Sequence, residues 1–407
     1  PGVLDLGERQ VAAASGAPLW TSTEAVEGYH LLYSAGHDIL VRPSACDPDP
    51  AGWSKTARRQ SVRLIAQRGR DGAVLWDNRL ELERSCGRHR MWYNWFLHQD
   101  TVIVESYYDT HAEFYGFDLA TGKPRTRPHP LTGREVPWGF LRRGGCTKNL
   151  ACENLVLFRS GTAGCFDIAG DGGTAHLGGF RPGCKNSLIP ADGIVSAPNY
   201  ASGCTCNYPV FTALALVPMP EVEWWAMNPI APDDAPIRRL GLNFGAPGDR
   251  RDSTGTLWLD YPSTGGRSPD LPITVSGRQD MQWVYRHSAR LQPHPLNWVA
   301  ASAGIGIEHI VVPLRKTPPA DGAAPGRCTV RLCFAECAAV QPGERVFDLQ
   351  IQGVTVLRGL DVLVAAGGRD RVLVREFSGI PFTTTLEVGL VPTAGLPLIC
   401  GLEILVE

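Results

Sequence analysis

Basic and aromatic side chains are concentrated in one stretch of the first half of the chain, residues 88 to 98. Aromatic faces stack on sugar rings, and the guanidinium groups of Arg88 and Arg90 suit pairing with a carboxylate or a sulfate. The next predicted strand carries Tyr108 and His111. A tyrosine and a histidine beside an arginine can act as acid and base in β-elimination on uronic sugars. This set predicts a polysaccharide lyase as one candidate function.

The same aromatic residues have a structural interpretation, which we favour. Trp92, Trp95 and Tyr108 lie in or next to a predicted strand. Aromatic side chains dominate the packing of protein cores, so residues of this kind more often fill a core than bind a ligand. We therefore assign no catalytic residue from the sequence and keep the lyase as an alternative.

Composition limits the classes of partner. The chain has 407 residues, 43% of them hydrophobic and 20% charged, which is ordinary for a globular protein with room for two or three domains. The formal net charge of −2 lacks the basic excess that nucleic acids or anionic membranes select. No apolar run is long enough for a membrane span. The chain begins at Pro1 without a signal sequence, so we expect a removed leader or a longer product.

Twelve cysteines predict disulfides rather than a metal site. No CxxC, HExxH or CxxCH spacing is present, and a soft-metal site around Cys204 and Cys206 would have only His176 nearby. One residue separates Cys204 from Cys206, so each is expected to pair with a distant partner such as Cys146, Cys165 or Cys184. Disulfides imply an oxidising compartment, namely periplasm, cell surface or medium. The absence of any N-glycosylation sequon favours a bacterial source.

Residues 1–220 contain a degenerate repeat. A turn followed by the start of a strand with a tryptophan or a polar residue occurs at residues 15–20, 71–76, 118–123 and, more weakly, 167–172. The period is about fifty residues, which suits a four-stranded β-propeller blade. Asp-x-x-Thr-Gly-Lys followed by a tryptophan-bearing strand resembles the blades of PQQ-like β-propellers. The residues from Gly144 to Pro220, with GGFRPGC, IPADG and CTCNY, resemble the C-terminal closing segment of large bacterial proteins of that kind.

The resemblance implies a partial propeller of about four blades. Such propellers usually have more blades, so the remaining blades are expected on another part of the precursor or on another chain, although a closed four-bladed form stays open. The repeat is a scaffold and carries no dehydrogenase-type site. We therefore predict no PQQ and no other cofactor.

The sequence predicts a short linker at residues 221–239 and an antiparallel β-sandwich at residues 240–407. Prolines at 229, 232 and 236 interrupt regular structure in the linker, where Trp224 and Trp225 are expected to pack on a neighbouring domain. In the sandwich, apolar residues alternate with a period of two. The alternating sets are Val330, Leu332 and Phe334; Phe347, Leu349 and Ile351; and Leu402, Ile404 and Val406. Among Cys328, Cys333, Cys337 and Cys400 we expect disulfide pairing.

The second domain resembles the malectin family of carbohydrate-binding β-sandwiches. The matching segments are LNFG at 242–245, WLDYP at 258–262, VRLCFAE at 330–336 and PGERVFD at 342–348. Members of that family bind glucose-type disaccharides through tyrosines, a Tyr-Phe pair after FAE and a late aspartate. The first tyrosine corresponds to Tyr261, whereas Ala338 and Ala339 replace the pair and Thr393-Ala394-Gly395 replaces the aspartate region.

Other aromatic residues are candidates for the missing contacts. Trp283, Tyr285 and Trp298 lie between the DYP and FAE segments, and loops at one end of a sandwich often form binding surfaces. Core packing is an equally good interpretation of each. The sequence thus predicts an extracytoplasmic bacterial all-β protein that binds carbohydrate through Tyr261 and these residues or acts as a surface scaffold. The lyase and a structural subunit completed by a partner chain are the alternatives.

Overall fold

The computed structural model consists mainly of β-strands. It describes residues 3–5, 9–12, 18–21, 31–45, 59–83, 95–108, 111–143, 145, 148–183, 188–198, 213–219, 221–228, 230, 233–263, 269, 271–318 and 324–407. The chain divides into two compact units. Unit 1 comprises residues 1–127 and 136–218, and unit 2 comprises residues 128–135 and 219–407.

The strands of unit 1 form successive antiparallel sheets. The first contains β1 (Val3–Asp5), β2 (Arg9–Ala12) and β3 (Pro18–Thr21). The second contains β4 (Leu32–Ser34), β5 (Ile39–Ala45), β6 (Arg59–Arg68) and β7 (Val74–Glu83). The third contains β8 (Trp95–His98), β9 (Thr101–Tyr108) and β10 (His111–Asp118). A hairpin of β11 (Thr126–Pro128) and β12 (Glu135–Pro137) then precedes its last strand, β13 (Gly139–Arg143).

Two further sheets follow in unit 1. The fourth contains β14 (Leu150–Ala151), β15 (Leu155–Ser160), β16 (Thr162–Asp167) and β17 (Gly173–His176). The fifth contains β18 (Ile189–Ala191), β19 (Ile194–Ala197) and β20 (Leu214–Leu216). None of the sheets in the described part of the chain closes on itself.

The sequence repeat corresponds to a contact that recurs between neighbouring sheets. Trp20 on β3 donates its indole N–H to the Gly69 carbonyl at 2.7 Å, and Trp76 on β7 donates to the Leu119 carbonyl at 2.8 Å. The turns that receive these indoles contain Gly72 (φ 73°) and Gly122 (φ 69°). A Cβ at either glycine would lie under 3 Å from the indole. Positive φ and the close indole both require glycine here.

Two separate apolar clusters pack the middle sheets of unit 1 together. Val102 and Val104 on β9 join Trp76 and Trp95 in one cluster, whereas Ile103 belongs to a second cluster. Successive residues of a strand point to opposite faces, so β9 packs on both of its faces. The second cluster is built around stacked phenylalanine rings, with centroid distances of 4.2 Å from Phe114 to Phe140 and 4.0 Å from Phe140 to Phe166.

The structure describes five sheets of three or more strands in unit 1, where the sequence repeat counts four. In the sequence, the glycines at 16, 72 and 172 come shortly before β3, β7 and β17, and Gly122 comes before the hairpin that precedes β13. The fifth sheet has no such turn motif between β19 and β20, so the repeat could not reveal it. Its strands lie in the cysteine-rich closing segment.

Unit 2 contains two larger sheets, preceded by β21 (Ala226–Met227). Sheet I has the order β23-β24-β22-β33-β27-β30. Its strands are β22 (Arg239–Phe244), β23 (Arg250–Arg251), β24 (Leu257–Tyr261), β27 (Gly326–Phe334), β30 (Leu373–Phe382) and β33 (Gly401–Val406).

Sheet II has the order β25-β26-β31-β28-β29, and a short strand, β32, pairs with β26. Its strands are β25 (Thr274–Tyr285), β26 (Ser302–Pro313), β28 (Val346–Ile351), β29 (Val354–Asp361), β31 (Thr385–Ala394) and β32 (Leu398–Ile399). The helices of the described part are α1 (Asn297–Ala300), α2 (Val362–Ala365) and a 3₁₀ turn, Ser288–Arg290.

One continuous core joins the two sheets of unit 2. The alternating residues predicted on β27 and β28 are buried, as are Leu402 and Ile404 on β33, and all belong to this core; Val406 packs against it. The period-two interpretation of these strands is therefore confirmed. The prediction of a purely antiparallel arrangement is wrong at one pair, because β22 and β24 run parallel from Gly241 beside Trp258 to Phe244 beside Tyr261.

The predicted disulfides among the cysteines of unit 2 are absent from the structure. Cys328, Cys333, Cys337 and Cys400 are all free thiols, as are Cys152 and Cys165 in unit 1. The Cys400 thiol contacts the Ala300 carbonyl at 3.6 Å, and the Cys337 thiol contacts the Ala335 carbonyl at 3.8 Å. These two sulfurs therefore have a carbonyl partner in place of a second sulfur. The other six cysteines, including Cys146, Cys184, Cys204 and Cys206, lie outside the described residues.

Candidate functional site

Tyr261 and Trp283, which the sequence places 22 residues apart, lie together in unit 2. Their ring centroids are 5.9 Å apart in an edge-to-face arrangement, and Tyr261 makes a similar contact with Phe244 at 6.0 Å. Tyr261 ends β24 of sheet I, whereas Trp283 lies on β25 of sheet II. The Trp283 ring lies against Gly304 on the neighbouring strand, where a Cβ would approach it to 2.9 Å. Burial raises the pKa of Tyr261.

Trp283 and Tyr285 form an exposed aromatic pair on β25, at the edge of sheet II. Their exposed fractions are 38% and 46%, unusually high for large aromatic residues in a strand. They are two positions apart, so their side chains point to the same face about 7 Å from each other. This pair can offer two stacking surfaces to a ligand.

Trp298 occupies a different position from the other three predicted residues. It lies in α1, is 6% exposed and belongs to the core of unit 2. Its ring packs edge-to-face against Trp258 at 6.0 Å and against Trp225 at 6.0 Å. Trp225 in turn packs against Tyr285 at 6.1 Å. Trp298 thus reaches Tyr285 only through Trp225 and is buried too deeply to contact a large ligand.

An arginine completes the aromatic arrangement. The Arg250 guanidinium lies 4.9 Å from the centroid of the Trp298 ring and 5.9 Å from that of Trp225. Cations are attracted to the faces of indole rings, most strongly when water is excluded. Burial lowers the pKa of Arg250, while the nearby Glu223 opposes that shift.

Glu223 is the acidic group of the site. Its carboxylate accepts hydrogen bonds from the Tyr285 hydroxyl at 2.5 Å and from the Ser288 backbone N–H at 2.9 Å. Burial acts to raise the pKa of Glu223, but the hydrogen bonds from Ser288 and Tyr285 outweigh it, and the pKa is lowered overall. Burial, followed by the bond to this carboxylate, raises the pKa of Tyr285 to about 12. The phenol therefore stays protonated at neutral pH.

Sequence reasoning missed Glu223 and Arg250 as parts of this site. Glu223 falls in the segment predicted to be a linker. Trp225 of this segment packs against Trp298, and the Asn228 backbone N–H donates to the Asp249 carboxylate at 3.0 Å. The adjacent pair Trp224-Trp225 was the available signal, because exposed indoles in a tether are unfavourable.

The positions that correspond to the family's Tyr-Phe pair offer no ligand contact. Ala338 and Ala339 follow the buried Glu336, whose carboxylate accepts the Ala338 backbone N–H at 2.8 Å. Arg345 pairs with the same carboxylate at 2.9 Å. This loop is fixed by Glu336 and presents only methyl groups at the two positions.

The lyase residues of unit 1 are described only in part. Arg88, Arg90 and Trp92 lie outside the described residues, whereas Trp95 is buried in an apolar cluster. The strand register places His111 opposite Tyr108 on one side and opposite Arg143 on the other. A tyrosine, a histidine and an arginine thus occupy adjacent backbone positions across three strands.

A polar cluster lies next to this row in unit 1. The Arg143 backbone N–H donates to the Ser160 hydroxyl at 2.8 Å, and that hydroxyl is 2.9 Å from Nε2 of His176. Burial, with a smaller contribution from Arg143, lowers the pKa of His176. Ser160 is 1% exposed and so is inaccessible to a substrate. The described residues of both units contain no group of three or more ligands suited to a metal ion.

Comparison with known proteins gives one family match. Residues 322–387 match the model of the malectin domain, a segment that includes β27 to β30 and the start of β31. No curated protein matches the chain. No helix within the described ranges is long and apolar enough to span a membrane.

Several solved structures are similar to the chain at a low level. A beta-glucuronidase of Bacteroides uniformis has a TM-score of 0.33 and 10% identity, covering 85% of this chain and 27% of its own. The plant receptor-like kinase FER has a TM-score of 0.29 and 17% identity, covering 41% of each chain. The ANX2 ectodomain of Arabidopsis thaliana has a TM-score of 0.28 and 15% identity, covering 41% and 42%. This chain thus spans less than half the length of each, and the malectin match is the finding that bears on unit 2.

Proposed function

We propose that the chain is an extracytoplasmic carbohydrate-binding protein whose binding site lies in unit 2. The observation that carries the proposal is the exposed pair Trp283 and Tyr285 beside Tyr261, in the unit that contains the malectin match. Aromatic faces complement the apolar faces of sugar rings. Unit 2 is then a malectin-like β-sandwich whose site uses β25 in place of the missing Tyr-Phe pair.

In this proposal unit 1 is a scaffold made of PQQ-like propeller blades. The recurring indole-to-turn contacts of Trp20 and Trp76 support it, since each joins one sheet to the next. The propeller would be completed by blades outside this chain or by another chain. Size-exclusion chromatography with light scattering, applied to the protein isolated from its source organism, gives the mass of the particle. The mass of a single chain with no bound partner would contradict completion by another chain.

The test of the binding proposal is a glycan screen followed by calorimetric titration of the full chain. Each aromatic contact contributes on the order of 1 kcal/mol, so Tyr261→Ala or Trp283→Ala should weaken binding about tenfold or less. Trp138→Phe, in unit 1, is a control expected to leave affinity unchanged. If Trp283→Ala and Tyr261→Ala both bind as well as the parent chain, the site is elsewhere or absent.

The extracytoplasmic location rests on the cysteine content and on the kind of ligand proposed. The six cysteines within the described residues are free thiols. The candidates for disulfides are therefore the other six, at 46, 86, 146, 184, 204 and 206. Peptide mapping after alkylation without reduction should find most of these six cross-linked. Free thiols at all of them would remove this support for an oxidising compartment.

A polysaccharide lyase in unit 1 is the second candidate, favoured by the row of Tyr108, His111 and Arg143. The assay is the ultraviolet absorbance of unsaturated products from uronic-acid polymers. We expect no turnover, because the three residues lie in ordinary strands of a packed sheet. Turnover that His111→Ala abolishes would make the chain an enzyme.

A further inference from the structure

The segment that precedes unit 2's first long strand is attached to the end of β25, next to the exposed aromatic pair. Glu223 holds the Tyr285 hydroxyl and the Ser288 N–H, as described above. In addition, Nε2 of His287 lies 2.6 Å from the Glu221 carbonyl oxygen. Three hydrogen bonds therefore fix residues 221–223 beside Tyr285 and the turn that follows it.

The Glu223 carboxylate has acceptor capacity to spare. An ionised carboxylate offers about four lone-pair positions. The Tyr285 hydroxyl and the Ser288 N–H use one on each oxygen, and the Ser288 hydroxyl is a third donor, which leaves room for about one more. Its lowered pKa keeps it ionised at neutral pH. A ligand hydroxyl that reached it would form a charge-assisted hydrogen bond, which is stronger than a bond between neutral groups.

The nearest cation does not cancel this acceptor. Arg250 is held over the faces of Trp298 and Trp225, and its side chain is half-buried. Arg286, the next basic residue after Tyr285, lies 3.9 Å from the Asp370 carboxylate and donates to the Cys337 carbonyl. Arg250 attracts Glu223 at a distance but is held over the two indole rings, and Arg286 is engaged by Asp370 and Cys337. The remaining acceptor position beside Tyr285 therefore belongs to a carboxylate.

We propose that Glu223 is a specificity-determining residue of the site, and that it selects neutral oligosaccharides over uronic or sulfated ones. The proposal rests on the carbohydrate-binding function proposed above. The two aromatic surfaces, about 7 Å apart on one strand, fit adjacent rings of an oligosaccharide better than a single sugar. The hydroxyls of a stacked neutral ring donate to Glu223, whereas a sugar carboxylate or sulfate at the same position meets a like charge.

The expected discrimination is about tenfold or more. Two unit charges about 4 Å apart near a protein surface repel with an energy that corresponds to this factor or a larger one, and salt weakens the repulsion. The preference for neutral sugars should accordingly decrease at high ionic strength.

The test uses the full chain and two matched ligands, a β-linked glucan tetrasaccharide and the glucuronan tetrasaccharide of the same linkage. Calorimetry should give the parent chain at least about tenfold tighter binding of the glucan. Glu223→Gln removes the charge; its single oxygen can accept from the Ser288 N–H, and its NH2 group can donate to the Tyr285 hydroxyl oxygen. It should therefore strengthen glucuronan binding and reduce the ratio about tenfold. Glu221→Gln, two residues away with an exposed side chain, should leave the ratio unchanged.

Two outcomes overturn the proposal without affecting the binding function. In one, the parent chain binds the glucuronan and the glucan with equal affinity. In the other, the ratio of glucan to glucuronan affinity is the same for Glu223→Gln as for Glu221→Gln. In both, Trp283→Ala would still weaken glucan binding. If neither tetrasaccharide nor any glycan of the screen binds, the proposed function fails and the inference with it. Thermal unfolding of each variant confirms that it is folded.

Discussion

The two units bury their apolar residues in different ways. Unit 2 has one core shared by both of its sheets, whereas the described part of unit 1 has two clusters separated by the strands of its third sheet. A shared core makes the strands of a unit depend on one another, while separate interfaces allow neighbouring sheets to open independently. The candidate binding residues lie at the edge of unit 2, where the shared core holds their backbone.

The strongest test of this difference compares one core phenylalanine from each unit. Phe140 lies between Phe114 and Phe166 in unit 1, and Phe347 is fully buried in unit 2. Substitution of either by alanine should cost about 3–5 kcal/mol of stability. Hydrogen exchange followed by mass spectrometry should show Phe347→Ala raising exchange throughout unit 2. Phe140→Ala should raise it only in the sheets that contain β9 to β17. Equal spread of the effect in both units would contradict the comparison.

A buried ion pair provides the second test. Arg142 and Glu105 pair in unit 1 with side chains 1% and 3% exposed, and Asn149 also donates to Glu105 at 2.9 Å. Glu105→Gln leaves the buried guanidinium without its counter-charge and should cost about 3 kcal/mol or more. In unit 2, Glu403 is 4% exposed but its partner Arg331 is 36% exposed. Glu403→Gln should therefore lower the free energy of unfolding clearly less than Glu105→Gln when both variants are unfolded with denaturant. An equal loss would show that the exposure of the arginine does not matter.

The third test concerns the turns of the sequence repeat. Gly122→Ala in unit 1 combines positive φ with a Cβ 2.7 Å from the Trp76 ring, so we expect a loss of about 1–3 kcal/mol. Gly353→Ala in unit 2 has a similar φ of 75° but nothing within 4 Å of the new Cβ. The difference between the two variants measures the contact of the new Cβ with the Trp76 ring and the Asn78 amide. Equal losses would mean that this contact does not restrict the turn.

These elements also show what the sequence could predict. Strand alternation identified β27, β28 and β33, because a period of two is visible within a few residues. The malectin resemblance, with the position of Trp283 between the DYP and FAE segments, placed Tyr261 and Trp283 in one predicted site. The contacts of Glu223 with Tyr285 and Ser288 join residues more than sixty positions apart, and local pattern carries no information on such pairs. The parallel pair of β22 and β24 was missed for the same reason, since the direction of pairing depends on the path between strands.

The smallest effect is expected where unit 2 holds the segment with Glu223. The pKa of Glu223 is below its ordinary value, so its bonds contribute stability that is complete above the ordinary glutamate pKa and is lost as the pH falls through the lowered value. The side chain is partly exposed, so the contribution to stability should stay below about 1 kcal/mol.

The Ser288 amide reports this contribution directly, because that amide donates to the Glu223 carboxylate. Its protection from hydrogen exchange should decrease below about pH 4 in the parent chain and be independent of pH in that range in Glu223→Gln. The Ala338 amide, which donates to Glu336, is the control inside unit 2. Its protection from hydrogen exchange should be the same in the parent chain and in Glu223→Gln. A Ser288 amide that loses protection with the same pH dependence in both proteins would show that Glu223 does not fasten this segment.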